Sequence, residues 1–397
     1  MIEPHDRGIS AVRGSGSGGR WTPRRRLAFG LLLAVATGAG AALLEGATRL
    51  LARTATFAAL RRSAAEDPFW DGRHPLYGVW HRPGVVATHK TPCFEVSYRT
   101  NSVGARDIER RRGAARPRVL VLGDSYVEGW GLPLERRVTS LLEQSTGLEH
   151  INLAMSHFGP YQEYLVYRTL GQRYRHDYVL IGVTPFNDFY DLDFEIARSS
   201  PSYLYRYRPY LVGTYPAYDT VDYRESPIHR LFRRNSYAYN ALSLAFYWLV
   251  DRGEGFDNPA GFRHASGLVH SFYYDFRPRQ FDLLRYCLER IVEEARGRRV
   301  AVVLLPAPPD FLRYDQSGDS PLSRELTDLA AARGFELVDL LPAMHGATLR
   351  WDEYYFSCDF HWNSEGNTVA ARLIEEALEG TFYRGARLDR PGPRGAP

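Results

Sequence analysis

Lysine and cysteine are both scarce in this 397-residue chain. Lys90 is the only lysine, so arginine supplies nearly all of the positive charge, and the net charge of +4 is mild. No basic stripe interleaved with aromatic residues is present, which argues against a nucleic-acid-binding protein. The three cysteines, Cys93, Cys287 and Cys358, form neither a CxxC pair nor a zinc-ribbon spacing. They allow one disulfide in a domain outside the cytoplasm, and the sequence does not choose its members.

The N-terminal segment differs in composition from the rest of the chain. Residues 1–26 are rich in glycine, serine and arginine, and we expect them to be disordered on the cytoplasmic side. Residues 27–44 carry no charge and would form a helix roughly 27 Å long, just sufficient to cross a membrane. Arginines before this run favour a cytoplasmic N-terminus and a domain outside. A signal peptide cleaved near Ala39-Gly40-Ala41 and a buried core helix are the alternatives.

Apolar runs and amphipathic segments alternate through the remainder. The runs at 118–123, 150–154, 178–183, 299–305 and 335–339 predict buried parallel strands. Helical periodicity predicts helices at 136–144, 161–172, 280–296, 322–333 and 364–378. This alternation indicates an α/β fold with a parallel sheet covered on both faces. Two regions depart from it, an aromatic segment at 69–107 before the first strand and a tyrosine-rich insertion at about 188–275, with a helix near 240–251.

Polar residues follow the ends of the predicted strands. Ser125 comes one tight turn after the first strand, in VLVLGDSYVEGW, where it could be a helix cap, a phosphate ligand or a nucleophile. Asn187 follows the third strand, and its amide would be a good oxyanion donor. Because ligands bind beyond the carboxyl ends of parallel strands, we expect these side chains to face one crevice. The loop NLAMSHFGPYQE, which contains Gly159, meets the same edge.

A histidine and an acid lie together just before the last helix, in CDFHWNSEGN. A serine nucleophile needs a base within hydrogen-bond reach, and the base needs an acid that orients it. Ser125, His361 and Asp359 can supply these roles. His361 and Asp359 could instead be metal ligands or a structural hydrogen-bonded pair, but two ligands do not make a metal site.

The blocks GDSY, NLAMSHFGPYQ, TPFND and DFHWN, in this order, resemble the SGNH (GDSL-type) hydrolase family of serine esterases and acyltransferases. The segment VSYRTNSVGARDIE resembles the one that precedes the core in bacterial membrane-anchored members. The resemblance implies a three-layer α/β/α, flavodoxin-like fold with a five-stranded sheet in the order 2-1-3-4-5. It also implies that Ser125 is the nucleophile, His361 the base and Asp359 the orienting acid. The Ser125 N–H and Asn187 would line the oxyanion hole, and no cofactor is needed.

This chain departs from the family's pattern in two places. Many members have a glycine five residues after the asparagine of the second block; counted from Asn152, that position is His157, and Gly159 follows two residues later. The backbone N–H of either residue could complete the oxyanion hole. Many members also place the acid three residues before the histidine, where this chain has Cys358. The spacing DFHW is similar to that of exported members, among them O-acetyltransferases of cell-surface polysaccharides.

The sequence therefore predicts an N-terminal membrane anchor (27–44), a linker (45–76), a hydrolase domain (77–383) and a disordered tail (384–397). The expected function is that of an extracytoplasmic serine esterase or O-acyltransferase acting on an acyl ester of a polysaccharide or another cell-envelope glycan. The alternatives are a carbohydrate-binding module that has lost catalysis, for which His157 is the only support, and a lipid-acting esterase. The acyl group, the acceptor and the oligomeric state are not predicted.

Overall fold

The computed structural model describes residues 21–54, 70–91, 93–199, 207–250, 268–347, 350–357 and 359–385. The segments expected to be disordered, 1–26 and 384–397, lie largely outside this part of the chain, as does Cys358. The described strands are β1 Trp70–His74, β2 Gly78–His81, β3 Val86–Lys90, β4 Glu95–Arg99, β5 Arg118–Leu122, β6 Glu149–Asn152, β7 Tyr178–Val183, β8 Pro209–Thr214, β9 Ala217–Asp222, β10 Arg299–Leu304 and β11 Glu336–Asp339.

The described α-helices begin with one long helix and are otherwise interspersed with the strands. They are α1 Pro23–Leu51, α2 Ser125–Glu128, α3 Val138–Thr146, α4 Pro160–Thr169, α5 Pro185–Leu192, α6 Phe194–Ser199, α7 Pro227–Asn235, α8 Tyr237–Val250, α9 Pro278–Ala295, α10 Pro308–Ser317, α11 Pro321–Arg333, α12 Leu340–His345 and α13 Ser364–Leu378. Short 3₁₀ turns lie at Leu134–Arg136, Gly171–Arg173 and Trp351–Tyr354.

The central sheet has five parallel strands in the order β6-β5-β7-β10-β11. Numbered from the first core strand, β5, this is the predicted order 2-1-3-4-5, so the predicted fold class is confirmed. Every residue of β5 and β7 is buried, as a strand covered on both faces requires. Successive strands are added to one side of β5 (β6) and then to the other (β7), so the strand order reverses between β5 and β7. The carboxyl ends of these two neighbours form the crevice where ligands bind in such sheets.

Helices form a layer on each face of this sheet. The connections through α3 and α4 leave β5 and β6 in opposite directions along the sheet, so right-handed crossovers place the two helices on opposite faces. On one face α3 packs against α13, and on the other α4 packs against α9, which also contacts α5. The predicted helices thus exist, with every end within three residues of the predicted one.

The two regions that departed from the alternation have structure of their own. The segment before the core forms the antiparallel pairs β1–β2 and β3–β4. Arg106 fastens it to the core, because its Nη1 donates to the carbonyl oxygens of Glu128 at 2.9 Å and Gly129 at 2.6 Å. The insertion contains α6, the hairpin β8–β9, α7 and α8, and the helix predicted near 240–251 is α8.

The first helix, α1, contains the uncharged run 27–44. It begins at Pro23, so residues 23–26 are helical where disorder was expected, and it continues through Leu51 into the predicted linker. It is long and apolar enough to cross a membrane, and its most apolar part is not covered by the rest of the protein. A signal sequence would have the same properties, so the location of α1 in a membrane is taken up below as a proposal.

Candidate active site

Ser125 begins a short helix, α2, at the carboxyl end of β5. The Asp124 carboxylate caps this helix by accepting from the Tyr126 N–H at 3.0 Å. A Cβ at Gly123 would lie 2.4 Å from Val127 Cγ2, so only glycine lets α2 fold back so closely over the strand. The Ser125 side chain is 8% exposed, and its backbone N–H has no hydrogen-bond partner among the described residues. The tight turn therefore presents both a hydroxyl and an N–H at the sheet edge.

His361 and Asp359 meet Ser125 from the loop before α13. Ser125 Oγ lies 2.7 Å from His361 Nε2, and His361 Nδ1 makes a short hydrogen bond to Asp359 Oδ1. The His361 backbone N–H donates to the same carboxylate oxygen at 3.0 Å. Since Asp359 accepts at Nδ1–H, the other ring nitrogen is left to accept the proton of Ser125. Ser125 and the Asp359–His361 pair, 234 or more residues apart in the sequence, thus form a Ser–His–Asp chain in the predicted order of contact.

Two aromatic residues near Ser125 hold the acid and the histidine loop. Trp130 Nε1 donates to Asp359 Oδ2 at 3.0 Å, and its ring stacks on the His361 ring with centroids 5.1 Å apart. The Tyr126 hydroxyl donates to the Phe360 carbonyl oxygen. Although burial acts to raise it, hydrogen bonds and charge attraction from His361 hold the pKa of Asp359 below its ordinary value. The sequence identified neither of these tethers, because the GDSY block shows that the aromatics are near the serine but not what they touch.

Asn187 lies in the first turn of α5, at the end of β7. Its Nδ2 donates to Asp124 Oδ2 at 3.0 Å and lies 3.4 Å from Asp191 Oδ2. The first distance is that of a good hydrogen bond, whereas the second is at the limit for one. Because Asp124 adjoins Ser125, this bond draws the Asn187 amide to the nucleophile's turn. The Asn187 Oδ1 atom is buried and has no hydrogen-bond partner among the described residues.

The loop between β6 and α4 contains both candidates for the third oxyanion donor. His157 has φ = +71°, a left-handed conformation that favours glycine, so the loop makes a turn at this residue that glycine would adopt more easily. Gly159 has φ = −112° and is the N-cap of α4, where its N–H points to Gln162 Oε1 at 3.4 Å. A Cβ at Gly159 would lie 2.7 Å from the Asp191 Cβ. Glycine at 159 is thus explained by close packing on α5, and the backbone turn belongs to His157.

Buried charged residues fix this loop on both sides, and the sequence did not reveal them. Glu128 accepts from the Ser156 N–H at 2.6 Å and pairs with His81 from β2. Burial acts to raise the pKa of Glu128. The hydrogen bonds from His81 and the Ser156 hydroxyl, together with the positive charge of nearby Arg106, outweigh burial and lower this pKa to about 2. Glu128 is therefore a fixed negative charge beneath the loop.

Arg208 approaches the same loop from the start of β8 in the insertion. Its guanidinium donates to the His157 carbonyl oxygen and forms a buried ion pair with Asp191. It also donates to the Asp191 carbonyl oxygen at 3.2 Å and to the Tyr210 hydroxyl at 3.1 Å. Asp191 in turn contacts Asn187, so one arginine connects the two elements that would form the oxyanion hole. The insertion contains several arginines, and the sequence has no pattern that singles out Arg208 among them.

Other carboxyl groups lie below the site. Burial raises the pKa of Glu163 and of Asp188 well above their ordinary values, and each is also close to other acids, including Asp124 and Asp191. Asp188 Oδ2 accepts from the Thr184 N–H at 2.7 Å. Low dielectric and neighbouring negative charge favour the neutral form of both groups. Among the described residues no cluster of three or more His, Cys, Asp and Glu side chains could hold a metal ion.

Aromatic rings surround the outer side of the histidine. His89 and Phe94 of the β3–β4 region contact Trp130, with ring centroids 4.4 and 6.3 Å away. Phe94 also contacts Phe356 at 5.3 Å, close to where a Cβ at Gly131 would collide with both rings. The segment before the core therefore forms part of the wall beside the candidate triad.

The chain matches no family model and no curated protein. It is similar to solved structures at low identity. One is a lipolytic protein of the G-D-S-L family from Desulfitobacterium hafniense DCB-2, at 11% identity and a TM-score of 0.36, covering 66% of this chain and 100% of that one. Another is the lipase/acylhydrolase from Enterococcus faecalis, at 14% identity and a TM-score of 0.35, covering 66% and 96%.

A third similar structure is a carbohydrate esterase family 2 enzyme with a carbohydrate-binding domain from Corynascus thermopiles, at 12% identity and a TM-score of 0.34. The similarity covers 68% of this chain and 69% of that one. At these TM-scores and identities the similarity decides neither the reaction nor the substrate of this chain. Both have to be inferred from the chain's own site.

Proposed function

We propose that this protein is a serine ester hydrolase or O-acyltransferase. The observation that carries the proposal is the 2.7 Å contact between Ser125 Oγ and His361 Nε2, combined with the Asp359 carboxylate on the other ring nitrogen. A nucleophile, its base and an orienting acid in hydrogen-bond contact are the requirements for acyl transfer through a serine ester.

In the proposed reaction His361 takes the proton of Ser125 as the serine oxygen attacks the ester carbonyl carbon. The tetrahedral intermediate collapses, and His361 gives the proton to the departing alcohol oxygen. Water or an acceptor hydroxyl then loses a proton to His361 and attacks the carbonyl carbon of the acyl-serine. The bond between that carbon and Ser125 Oγ breaks, His361 returns the proton to Ser125 Oγ, and the acid or the acylated acceptor leaves. Asp359 keeps the Nδ1–H tautomer in place and stabilises the positive charge on the ring. The reaction needs no cofactor.

We assign the oxyanion hole to three donors. The first donor is the Ser125 N–H at the start of α2. The second is the Asn187 amide: one Nδ2 hydrogen is bound by Asp124, and the other, in a 3.4 Å contact with Asp191, is weakly bonded and so available to an oxyanion. The third donor is the backbone N–H of His157, whose positive φ gives the loop the turn that glycine normally provides. Gly159 remains the second candidate, but its N–H already points to Gln162.

We further propose that the catalytic domain lies outside the cytoplasm and is anchored by α1. Cys93 is disulfide-bonded while Cys287 is free and buried. Disulfides persist mainly in oxidising compartments, which supports an exported domain. We take the substrate to be an acylated carbohydrate of the cell envelope. Its support is the aromatic wall of Trp130, Phe94 and Phe356 beside the triad, because flat ring faces suit the apolar faces of sugars.

The test is hydrolysis of p-nitrophenyl acetate by the full chain in detergent, with and without oligosaccharide acceptors. Ser125→Ala should abolish turnover, whereas the matched control Ser145→Ala, in α3, should leave it unchanged. Transfer of the acetyl group to an oligosaccharide would identify a transferase, and release to water alone would identify an esterase. Absence of turnover in folded wild-type protein would contradict the proposal and favour a carbohydrate-binding module.

A further inference from the structure

We propose that the helix pair α7–α8 of the insertion binds the surface of a lipid bilayer at the level where α1 leaves it. This inference rests on the anchor part of the proposed function and does not depend on the catalytic part. It identifies the bilayer as the partner of an apolar surface that the protein's own core does not use.

The corner between α7 and α8 is fixed to the end of the uncharged run of α1. Glu45, the residue directly after that run, accepts from the backbone N–H groups of Tyr237 at 3.0 Å and Ala238 at 2.9 Å. It also accepts from the Ser236 hydroxyl at 2.8 Å. One carboxylate thus caps the first turn of α8, where the unpaired N–H groups of a helix favour negative charge.

Arg49, one turn further along α1, makes a second attachment to this corner. Its Nη2 donates to the Asn235 carbonyl oxygen at 2.8 Å, and its guanidinium lies 4.9 Å from the centre of the Tyr237 ring. Thr48 in α1 and Ala52, directly after its end, are buried, while all of α1 before Glu45 is exposed. Contact between α1 and the rest of the protein therefore begins where the uncharged run ends. If the run 27–44 crosses the bilayer, the α7–α8 corner must lie at its surface.

The surface that this corner presents is apolar. Ile228, Leu231 and Phe232 are spaced so that they share one face of α7, and they are 70%, 61% and 50% exposed. Leu242 of α8 is 59% exposed, one turn beyond the Glu45 cap. Two arginines of α7, Arg230 and Arg233, contact the carboxylate of Glu225. An amphipathic helix with its apolar face outward is typical of segments that lie in a membrane interface.

The composition of α8 points to the same partner. The helix reads YAYNALSLAFYWLV and has no charged residue over its 14 positions. Soluble monomeric proteins rarely expose large contiguous apolar patches, and α8 packs against α1, the helix that could cross a membrane. A bilayer covers both surfaces at once, and no separate protein partner is needed. We therefore assign lipid, and neither a second copy of the chain nor another protein, as the occupant.

This contact would fix the catalytic domain at the membrane instead of leaving it on a loose tether. The same insertion provides Arg208, which holds the His157 loop. The candidate site would then be held at a set distance from the bilayer, within reach of esters carried on membrane-linked glycans or lipids.

The test uses single cysteines introduced into the full chain, reconstituted in phospholipid nanodiscs and labelled with an environment-sensitive nitrobenzoxadiazole probe. Cys93 is in a disulfide and Cys287 is buried, and the chain without an introduced cysteine gives the background labelling. Probes are placed by Leu231→Cys and Leu242→Cys. Leu33→Cys in α1 reports membrane insertion, and Leu312→Cys in α10, 42% exposed, is the matched control outside the insertion. Lipids that carry a nitroxide quencher near the headgroup or near the chain end report the depth of each probe.

We expect strong quenching by the shallow quencher at 231 and 242, since an interfacial helix lies only about 5–10 Å deep. The probe at 33 should respond to the deep quencher, and the probe at 312 to neither. If 33 is quenched while 231 and 242 behave like 312, the inference is wrong and the anchor stands. If 231 and 242 are shielded from aqueous iodide but not quenched by lipid, a protein covers them and the inference is also wrong. If 33 itself is not quenched, the anchor fails and the inference with it, whatever the result for turnover.

Discussion

Removal of the Arg208 guanidinium should impair catalysis through the backbone of a loop that the arginine holds. Arg208 is fully buried, pairs with Asp191 and donates to the His157 carbonyl oxygen. Methionine fills a similar volume without the charge or the donors. In Arg208→Met the His157 N–H would lose its fixed position, and the Asp191 carboxylate that contacts Asn187 would lose its counter-ion.

Arg208→Met should lower both the stability and the catalytic rate. Breaking a buried ion pair from one side costs about 3–5 kcal/mol of stability, because the remaining charge is uncompensated. Burial already raises the pKa of Asp191 to about 6 with the arginine present, so protonation of Asp191 in the variant should hold the cost near the lower value. A donor displaced by roughly 1 Å costs about 10²-fold in rate. We expect that loss in kcat with little change in KM, since the loop acts on the transition state.

The assay separates folding from positioning with a double-mutant cycle. Arg208→Met, Asp191→Asn and the double variant are compared by thermal unfolding and by p-nitrophenyl acetate kinetics, with the exposed Arg372→Met as the matched control. The double variant should recover much of the stability, because no buried charge is left unpaired, but not the kcat. Wild-type kcat in the double variant would refute the positioning role of Arg208.

Three other substitutions make separate predictions. Asp359→Asn should lower kcat by about 10³–10⁴-fold, because the amide no longer fixes the His361 tautomer, and a wild-type rate in the hydrolysis assay would contradict this. His157→Gly should keep turnover and add about 1 kcal/mol of stability in thermal unfolding, since glycine tolerates the positive φ; loss of turnover would show that the imidazole itself is needed. Burial raises the pKa of Asp310 from 3.8 to about 7, so between these two pH values the folded form binds more protons than the unfolded form. The free energy of unfolding should therefore fall, by at most about 4 kcal/mol, as pH rises from about 4 to 7. Unfolding measured across this range should show a smaller fall in Asp310→Asn, and an unchanged slope would exclude Asp310 as the cause.

The sequence was sufficient to predict the strand order of the sheet and the contact between Ser125, His361 and Asp359. Apolar runs such as 178–183 are unambiguous because a strand buried on both faces has no polar positions. Ser125, Asp359 and His361 lie in short blocks whose order implied the crevice, and the structure brings these three side chains together.

The supports of the site were not predictable in the same way. Glu128, Trp130 and Arg208 act through single long-range contacts, and a lone charged or aromatic residue has no pattern that distinguishes it from a surface or core residue. The positive φ of His157, on which our preference for it over Gly159 rests, was not predictable either, because the sequence does not encode such an angle locally for a histidine.

The central claim, that Ser125 is an activated nucleophile, is tested most directly by covalent labelling. The full chain is treated with a fluorophosphonate and the adduct is located by mass spectrometry of its peptides. We predict a single adduct on Ser125 that is lost in His361→Ala and retained in His345→Ala, where the histidine pairs with Asp315 on the surface. Folded protein that remains unlabelled, or that carries the adduct on another residue, would contradict the claim.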